Sequence, residues 1–361
     1  MHKSEPLLRI VRRDSVGIGK KISVRVISIL LALVVDALFI YFVTGLNPLS
    51  VYRVMWSGTF LNFLRFSWVM RDLVTLLCIG VALAPAFKMR FWNVGAEGQV
   101  LMGALATALV MVRFGSVLSA PALFATMLAA SLAAGALWGL IPAVFKAFWN
   151  TNETLFTLMM NYVATSIVAS MTNLMRGQAS SLGKLNMATQ AGWFRPLFGQ
   201  RYNYNIIIVL ILMVVMFLYL KLSKHGYEIS VVGESENTAR YAGINVQKVT
   251  IRTMLLSGAI AGLAGFLIVG GRDQTISTST AGGQGFTAII VAWLAKFNTF
   301  YMALISFLLI FLSKGASEIA SAYSLNDYAA SIIEGIILFF ILGSEFFINY
   351  RLIWRGREVS E

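Results

Sequence analysis

Apolar runs long enough to cross a bilayer recur along this chain, and each stops at basic residues or at a turn. A hydrocarbon core of about 30 Å takes roughly twenty residues of helix, and such runs occupy most of the 361 residues. Only 12% of residues are charged and 58% are hydrophobic, where soluble domains carry about 25% charged residues. The chain therefore reads as an all-α polytopic membrane protein. Cys78 is its only cysteine, which excludes a disulfide framework and a cysteine metal cluster. Two histidines, His2 and His225, leave no room for a histidine-based metal site. No metal and no cofactor is expected. The formal net charge of +13 sits beside apolar runs, where it suits anionic lipid headgroups and the positive-inside bias better than nucleic acid.

The expected spans are 22–43, 73–87, a third reaching about 112, 120–145, a fifth opening at Leu155, 204–220, 255–269, a short one ending at Lys296, 301–312 and 328–348. That makes about ten transmembrane helices. Lys3, Arg9, Arg12, Arg13, Lys20, Lys21 and Arg25 outnumber Glu5 and Asp14 before the first span, and Arg351, Arg355 and Arg357 follow the last. Both termini are accordingly expected in the cytoplasm. Loop 176–203 holds Arg176, Lys184, Arg195 and Arg201 and no acid. Taken alone it would point inward; parity from the N-terminus places it outside. Residues 314–327 read as a second outer segment. The organisation expected is a cytoplasmic segment 1–25, a transmembrane domain 26–350 and a cytoplasmic tail 351–361. No cleavable signal is evident, since the first apolar run is too long and lacks a small-residue cleavage site.

Within the transmembrane domain, residues 221–252 are polar. Ser235 can N-cap a short helix, Glu236 supplies an acid to its first turn, and Gly243 can end it in a left-handed C′ position followed by apolar Ile244. Glu236 and Arg240 stand four apart in the favourable order. A helix of about two turns is not stable alone and needs something to pack on. By spacing alone, a solvated loop is an equally good reading.

Three other stretches stand out. At 91–99, FWNVGAEGQ places Asn93, Glu97 and Gln99 among Gly95 and Gly98; such polar groups are costly to leave unpaired in lipid. Between 255 and 269, Ser257, Gly258, Ala261, Gly262 and Gly265 give overlapping small-x-x-x-small spacings, as do Gly135 and Gly139 in the fourth span. Those positions let helix backbones meet closely, so the seventh span should be central. At 282–289, GGQGFTAI is not a phosphate loop, because no GK[ST] follows. Glycine-rich backbone at membrane depth belongs where protein buries it or where it lines a wet cavity. The likeness of 95–99 to 280–284 could mark an internal repeat or be chance. Asp36 and Glu334 are single acids inside spans, as often helix–helix hydrogen-bonding residues as functional ones.

Four motifs, in order, carry a resemblance. FWNVGAEGQ at 91–99 is similar to "FNIGAEGQ", and NETLFTLMMNY at 152–162 is similar to "NEVISTLMLNYIA". VGESENTARYAGI at 232–244, after GYE at 226–228, resembles a permease coupling segment, and 282–289 resembles "GxGFTAIAVALLG". Together they resemble permease subunits of the branched-chain amino acid, ribose and nucleoside ABC importers, nearest to the nucleoside and simple-sugar branch. The resemblance implies a type II importer-like permease in the bacterial inner membrane. It also implies partners: a separate ATPase subunit, a second and different permease, and an extracytoplasmic substrate-binding lipoprotein. Coupling to the ATPase would fall on Gly233, Glu234, Ser235, Glu236, Asn237, Arg240, Tyr241, Ala242 and Gly243. Pathway residues would be Asn93, Gly95, Glu97, Gly98, Gln99, Asn161, Gly283, Gly285, Phe286 and Thr287. The chain has no Walker A motif, so ATP hydrolysis is expected elsewhere and no catalytic residue in this chain. The competing reading is an ion-coupled transporter with Asp36, Glu97 and Glu334 as proton relays. A membrane-embedded enzyme would need clustered acids or histidines, which the sequence lacks.

Overall fold

The computed structural model describes residues 8–13, 17–179 and 182–354. Lys3, Glu5, Asp14, Arg355 and Arg357, which entered the charge argument, lie outside them, as does most of the tail 351–361. The described residues form thirteen α-helices and one two-stranded sheet, and they fall into two compact units.

The smaller unit comprises residues up to 66 and from 309 onward. Strand β1 (Leu8–Arg12) pairs antiparallel with β2 (Tyr350–Trp354), Leu8 opposite Trp354 and Arg12 opposite Tyr350. Helix α1 (Ile18–Phe39) runs on through a π-turn, Ile40–Thr44, and stops at Gly45 with φ 70°. Helix α2 (Pro48–Phe60) has Pro48 in its first turn and Asn47 as N-cap, whose side chain accepts from the Leu49 N–H at 3.0 Å.

Helix α3 (Phe63–Lys88) leads into the larger unit, residues 67–308. There follow α4 (Ala96–Phe114), α5 (Ala120–Trp149), α6 (Glu153–Arg176), α7 (Asn203–Leu222), α8 (Lys224–Glu234), α9 (Glu236–Tyr241), α10 (Val246–Leu267, continued by a π-turn to Arg272) and α11 (Gln284–Leu294). Helix α12 (Thr299–Tyr323) leads back to the smaller unit, where α13 (Asp327–Asn349) packs against α1.

Nine helices among the described residues are long and apolar enough to cross a membrane. The eighth expected span is α11, whose 11 residues reach only about 16 Å, so it cannot cross alone. Three expected boundaries need correcting. The seventh span starts at Val246 rather than 255, its first turns carrying the polar residues 246–252 that were expected in the cytoplasmic segment. The second span starts at Phe63 rather than 73, because Arg71 and Asp72 pair at 2.9 Å and are accommodated within the helix. Residues 314–323, expected in an outer segment, continue α12. Their acid, Glu318, is neutralised by Arg65, and Gly315 leaves room for Met55 of α2.

The larger unit is organised by α10, whose small residues let it approach α4 and α5 at backbone distance. A Cβ on Gly103 would lie 2.5 Å from the Gly262 Cα, and one on Gly135 would lie 2.7 Å from the same atom. A Cβ on Gly139 would lie 2.9 Å from the Met254 carbonyl oxygen. Ser257, Gly258, Ala261, Gly262 and Gly265 are all buried. In lipid, where apolar surface gives helices no reason to associate, such contact supplies the packing energy.

Candidate functional site

The turn between α3 and α4 is a lock of side-chain amides. Arg90 takes a left-handed conformation, φ 62°, and returns the chain toward the bundle. Asn93 is 0% exposed. Its Oδ1 accepts from the Gly95 N–H at 3.0 Å and from the Gln99 amide at 3.3 Å, while its own amide donates to Gln99 Oε1 at 3.2 Å and to Ser257 Oγ at 3.4 Å. Asn161 of α6 clamps the next turn: Oδ1 accepts from the Gly98 N–H at 2.9 Å and Nδ2 donates to the Val94 carbonyl at 2.9 Å. The Thr157 hydroxyl accepts from the Val94 N–H at 3.1 Å. Buried amides without partners would be costly; these satisfy one another and the start of α4. Asn161, expected among the pathway residues, has its amide bonded to the start of α4.

Glu97 ties α4 to α11. Its Oε1 accepts from the Gly283 N–H and its Oε2 from the Gly285 N–H, both at 2.8 Å. The carboxylate thus meets the positive end of α11 through charge-assisted bonds. Gly283 adopts φ 74°, and a Cβ on Gly285 would lie 2.5 Å from the Glu97 nitrogen. Glycine is required at the first position by conformation and at the second by contact. Thr287 donates to the Gly283 carbonyl at 3.4 Å, and Phe286 is exposed. Of the acids considered for a proton relay, Glu97 is thus held by backbone amides. Asp36 of α1 is fully buried with neither oxygen hydrogen-bonded among the described residues.

Residues 221–252 hold the end of α7, the two short helices α8 and α9, and the first turns of α10 from Val246. Ser223 caps α8, accepting from the Gly226 N–H at 2.9 Å. Ser235, with φ −160° and ψ 119°, caps α9 and accepts from the Thr238 N–H at 3.2 Å. Gly243 takes φ 78°, its N–H donates to the Arg240 carbonyl at 3.0 Å, and the Ile244 N–H reaches back to the Ala239 carbonyl at 2.9 Å. That pair of bonds is the Schellman closure. Arg240 lies 3.7 Å from Glu236. Ala239 and Gly233 are buried, whereas Glu234, Glu236, Asn237, Arg240, Ala242 and Gly243 are exposed, and Tyr241 is 94% exposed. Helix α8 rests on the end of α3. Gly233 lies so close to the Lys88 carbonyl oxygen that a Cβ there would overlap it.

In the first turn of α8, His225 is buried between the Tyr219 hydroxyl at Nδ1 and the Thr253 hydroxyl, 3.3 Å from Nε2. Burial pushes its pKa down to about 4, helped by Arg252 and opposed by Glu228. The folded form therefore binds fewer protons than the unfolded chain. The neutral imidazole contributes fully above about pH 6.5, and its contribution declines as pH falls toward 4. Thermal unfolding followed from pH 7 to 4.5 is expected to show an acid-side loss of stability that His225→Gln lacks.

One candidate surface was not singled out in the sequence. Along α6, Leu155, Met159, Tyr162, Ser166, Ser170 and Asn173 are exposed on one side, opposite buried Thr157, Asn161, Ala164 and Val168. Ser166 and Ser170 donate to the Tyr162 and Ser166 carbonyls at 2.9 and 3.0 Å, so their hydroxyl oxygens remain able to accept. Tyr162, Ser166 and Ser170 line a groove of about 460 Å³. The available signal was the spacing of polar residues by four along an apolar helix.

A family model described as "Branched-chain amino acid transport system / permease component" matches residues 65–342. The chain is 32% identical to the guanosine ABC transporter permease protein NupP of Bacillus subtilis, over 89% of this chain and 93% of that protein. It is 29% identical to a glucose ABC transporter permease protein of Haloferax volcanii, over 91% and 88%. Another Bacillus subtilis protein, the guanosine ABC transporter permease protein NupQ, is 28% identical over 57% of this chain and 67% of its own length. With its apolar helices and the four motifs in order, the chain belongs to this family of ABC transporter permeases, non-catalytic multi-pass subunits of the cell membrane.

Proposed function

We propose that this permease imports nucleosides as one membrane subunit of a binding-protein-dependent ABC importer, driven by a separate ATPase that docks on residues 233–243. The observation that carries the proposal is a mechanical one. An exposed, doubly capped helix, α9, continues from α8, whose Gly233 abuts the end of α3. Three residues after that contact begins the turn locked by Asn93 and Asn161, from which Glu97 reaches α11. Displacement of α9 by a closing ATPase would pass along this line to the glycine-rich turn at 282–285.

Nucleoside is favoured over a simple sugar by the AEGQ form at 96–99 and by the two relatives named for guanosine. A glucose permease among the relatives keeps sugar as the runner-up. Two guanosine permease proteins from one organism both resemble this chain, which supports a heterodimer with a second permease. The solute path would run along the hydroxyl-bearing face of α6, closed on its open side by that partner, with an extracytoplasmic lipoprotein delivering substrate. The β1–β2 pairing brings residues 8–12 beside 350–354, and the basic residues around both strands support a cytoplasmic location for them.

Gly243→Pro cannot adopt φ 78° and removes an N–H that donates to Arg240. Arg240→Glu reverses the charge on the exposed face. Both variants are expected to insert normally and to reduce ATP-driven nucleoside uptake to background. Wild-type uptake by both would remove the docking assignment.

A further inference from the structure

Residues 182–202 fold as a cap over one end of the larger unit. Asn186 donates to the Met111 carbonyl at 2.7 Å, the Leu185 N–H to the Gln274 carbonyl at 2.8 Å and the Phe194 N–H to the Gly270 carbonyl at 3.0 Å. The cap is anchored by Trp193, whose Nε1 donates to the Leu185 carbonyl at 2.7 Å. Arg201 and Lys184 lie over the Trp193 ring at 4.7 and 5.5 Å. Arg201 also donates to Gln190 Oε1 at 2.9 Å. No Asp or Glu occurs anywhere in 177–202.

Two cavities open here and share Phe124, Phe194 and Arg195. One, of about 420 Å³, has mixed walls that include Gln190, Arg195 and Arg201 and no acid. The other, of about 340 Å³, is apolar, walled by Phe124, Tyr204, Ile208 and Phe266 beside Phe194. Phe124, Tyr204, Ile208 and Phe266 all belong to membrane-spanning helices. A chamber with two arginines at a helix-end loop therefore adjoins an apolar slot between the ends of spanning helices, with Arg195 on both walls.

We propose that this pair of cavities binds one anionic phospholipid of the surrounding bilayer. Arg195 and Arg201 hold the phosphate, and an acyl chain lies in the slot between Phe124, Tyr204 and Ile208. Guanidinium groups match phosphate oxygens in pairs of parallel hydrogen bonds, and the loop contains no carboxylate to compete for them. An acidic soluble protein would satisfy the same cations. It would leave the slot empty, because the slot lies among membrane-spanning residues that a soluble partner does not reach.

The test uses the full-length chain purified in neutral detergent, with bound lipid read by native mass spectrometry. Phosphatidylglycerol and phosphatidylcholine of identical acyl chains are titrated, with glycerol phosphate as the headgroup alone. Wild type is expected to bind phosphatidylglycerol on the order of tenfold more tightly than phosphatidylcholine and to bind glycerol phosphate undetectably. Arg195→Gln combined with Arg201→Gln is expected to abolish the preference while phosphatidylcholine binding persists. Ile208→Trp, which fills the slot, is expected to weaken both lipids; Arg195→Gln alone, at an exposed residue, serves should the double variant prove unstable. Equal affinity for the two lipids in wild type, or an unchanged preference in the arginine variants, overturns the proposal. So does binding of glycerol phosphate as tight as that of the lipid, or arginine variants that keep the lipid preference and lose only the capture of an acidic protein.

Discussion

Gly262→Leu is expected to yield no folded protein, and Gly262→Ala to cost about 3 kcal/mol, the upper end of the usual overpacking penalty. The reason is that backbone surrounds this position. A Cβ on Gly262 would overlap the Ser131 carbonyl oxygen and sit 3.2 Å from the Gly135 Cα, and Gly103 approaches from α4. Backbone atoms of packed helices cannot rotate away as a side chain can. Gly335 and Gly343 in α13 are the controls, because an added Cβ there meets nothing within 4 Å. Alanine at either is expected to change stability by no more than about 0.5 kcal/mol in the destabilising direction, since alanine is the better helix former. Thermal unfolding in mild detergent, followed by circular dichroism, separates the two classes. A Gly262→Leu protein that unfolds like wild type would contradict the close-packed arrangement around α10.

Glu97→Ala is expected to be the most damaging substitution outside the packing glycines. It removes the acceptor for two backbone N–H groups, those of Gly283 and Gly285, and Gly285 is buried. Hydrogen bonds to a charged group contribute about 1.5–3 kcal/mol each. Removing the carboxylate also removes its own desolvation cost, so a net loss of about 3 kcal/mol is expected. Glu97→Gln keeps one acceptor oxygen and is expected to lose about half as much. If Glu97 served instead as a proton carrier, Gln and Ala would abolish uptake equally with stability unchanged. Measuring unfolding and uptake on both variants distinguishes the roles.

Features set by neighbours in sequence were legible before the structure. The capping of α9 by Ser235, its closure at Gly243 and the contact partner of its final turn, Ile244, all follow from local backbone chemistry. The central place of α10 was legible for a related reason, since its small residues recur at helical spacing and lipid gives them one use. Contacts between distant parts of the chain were not legible. Nothing near residue 97 says that its carboxylate ends at Gly283 and Gly285, 186 and 188 residues away. Residues 314–327 were expected in an outer segment, and the ion pair that accommodates Glu318 within α12 is with Arg65, 253 residues earlier. Asn161 was expected among the pathway residues from the resemblance of 152–162, which says nothing of its hydrogen bonds. Its actual partners, the Gly98 N–H and the Val94 carbonyl, belong to a turn whose shape the sequence did not reveal. The β1–β2 pairing was missed for the same reason, since it joins residues 8–12 to 350–354.

The most direct measurement is purification of the tagged chain from its native membrane in mild detergent, followed by an ATPase assay with nucleoside-loaded binding protein. The account predicts that an ATPase and a second permease co-purify, that nucleoside stimulates hydrolysis, and that Arg240→Glu abolishes the stimulation. A chain that purifies without an ATPase and takes up solute on an ion gradient alone would contradict it.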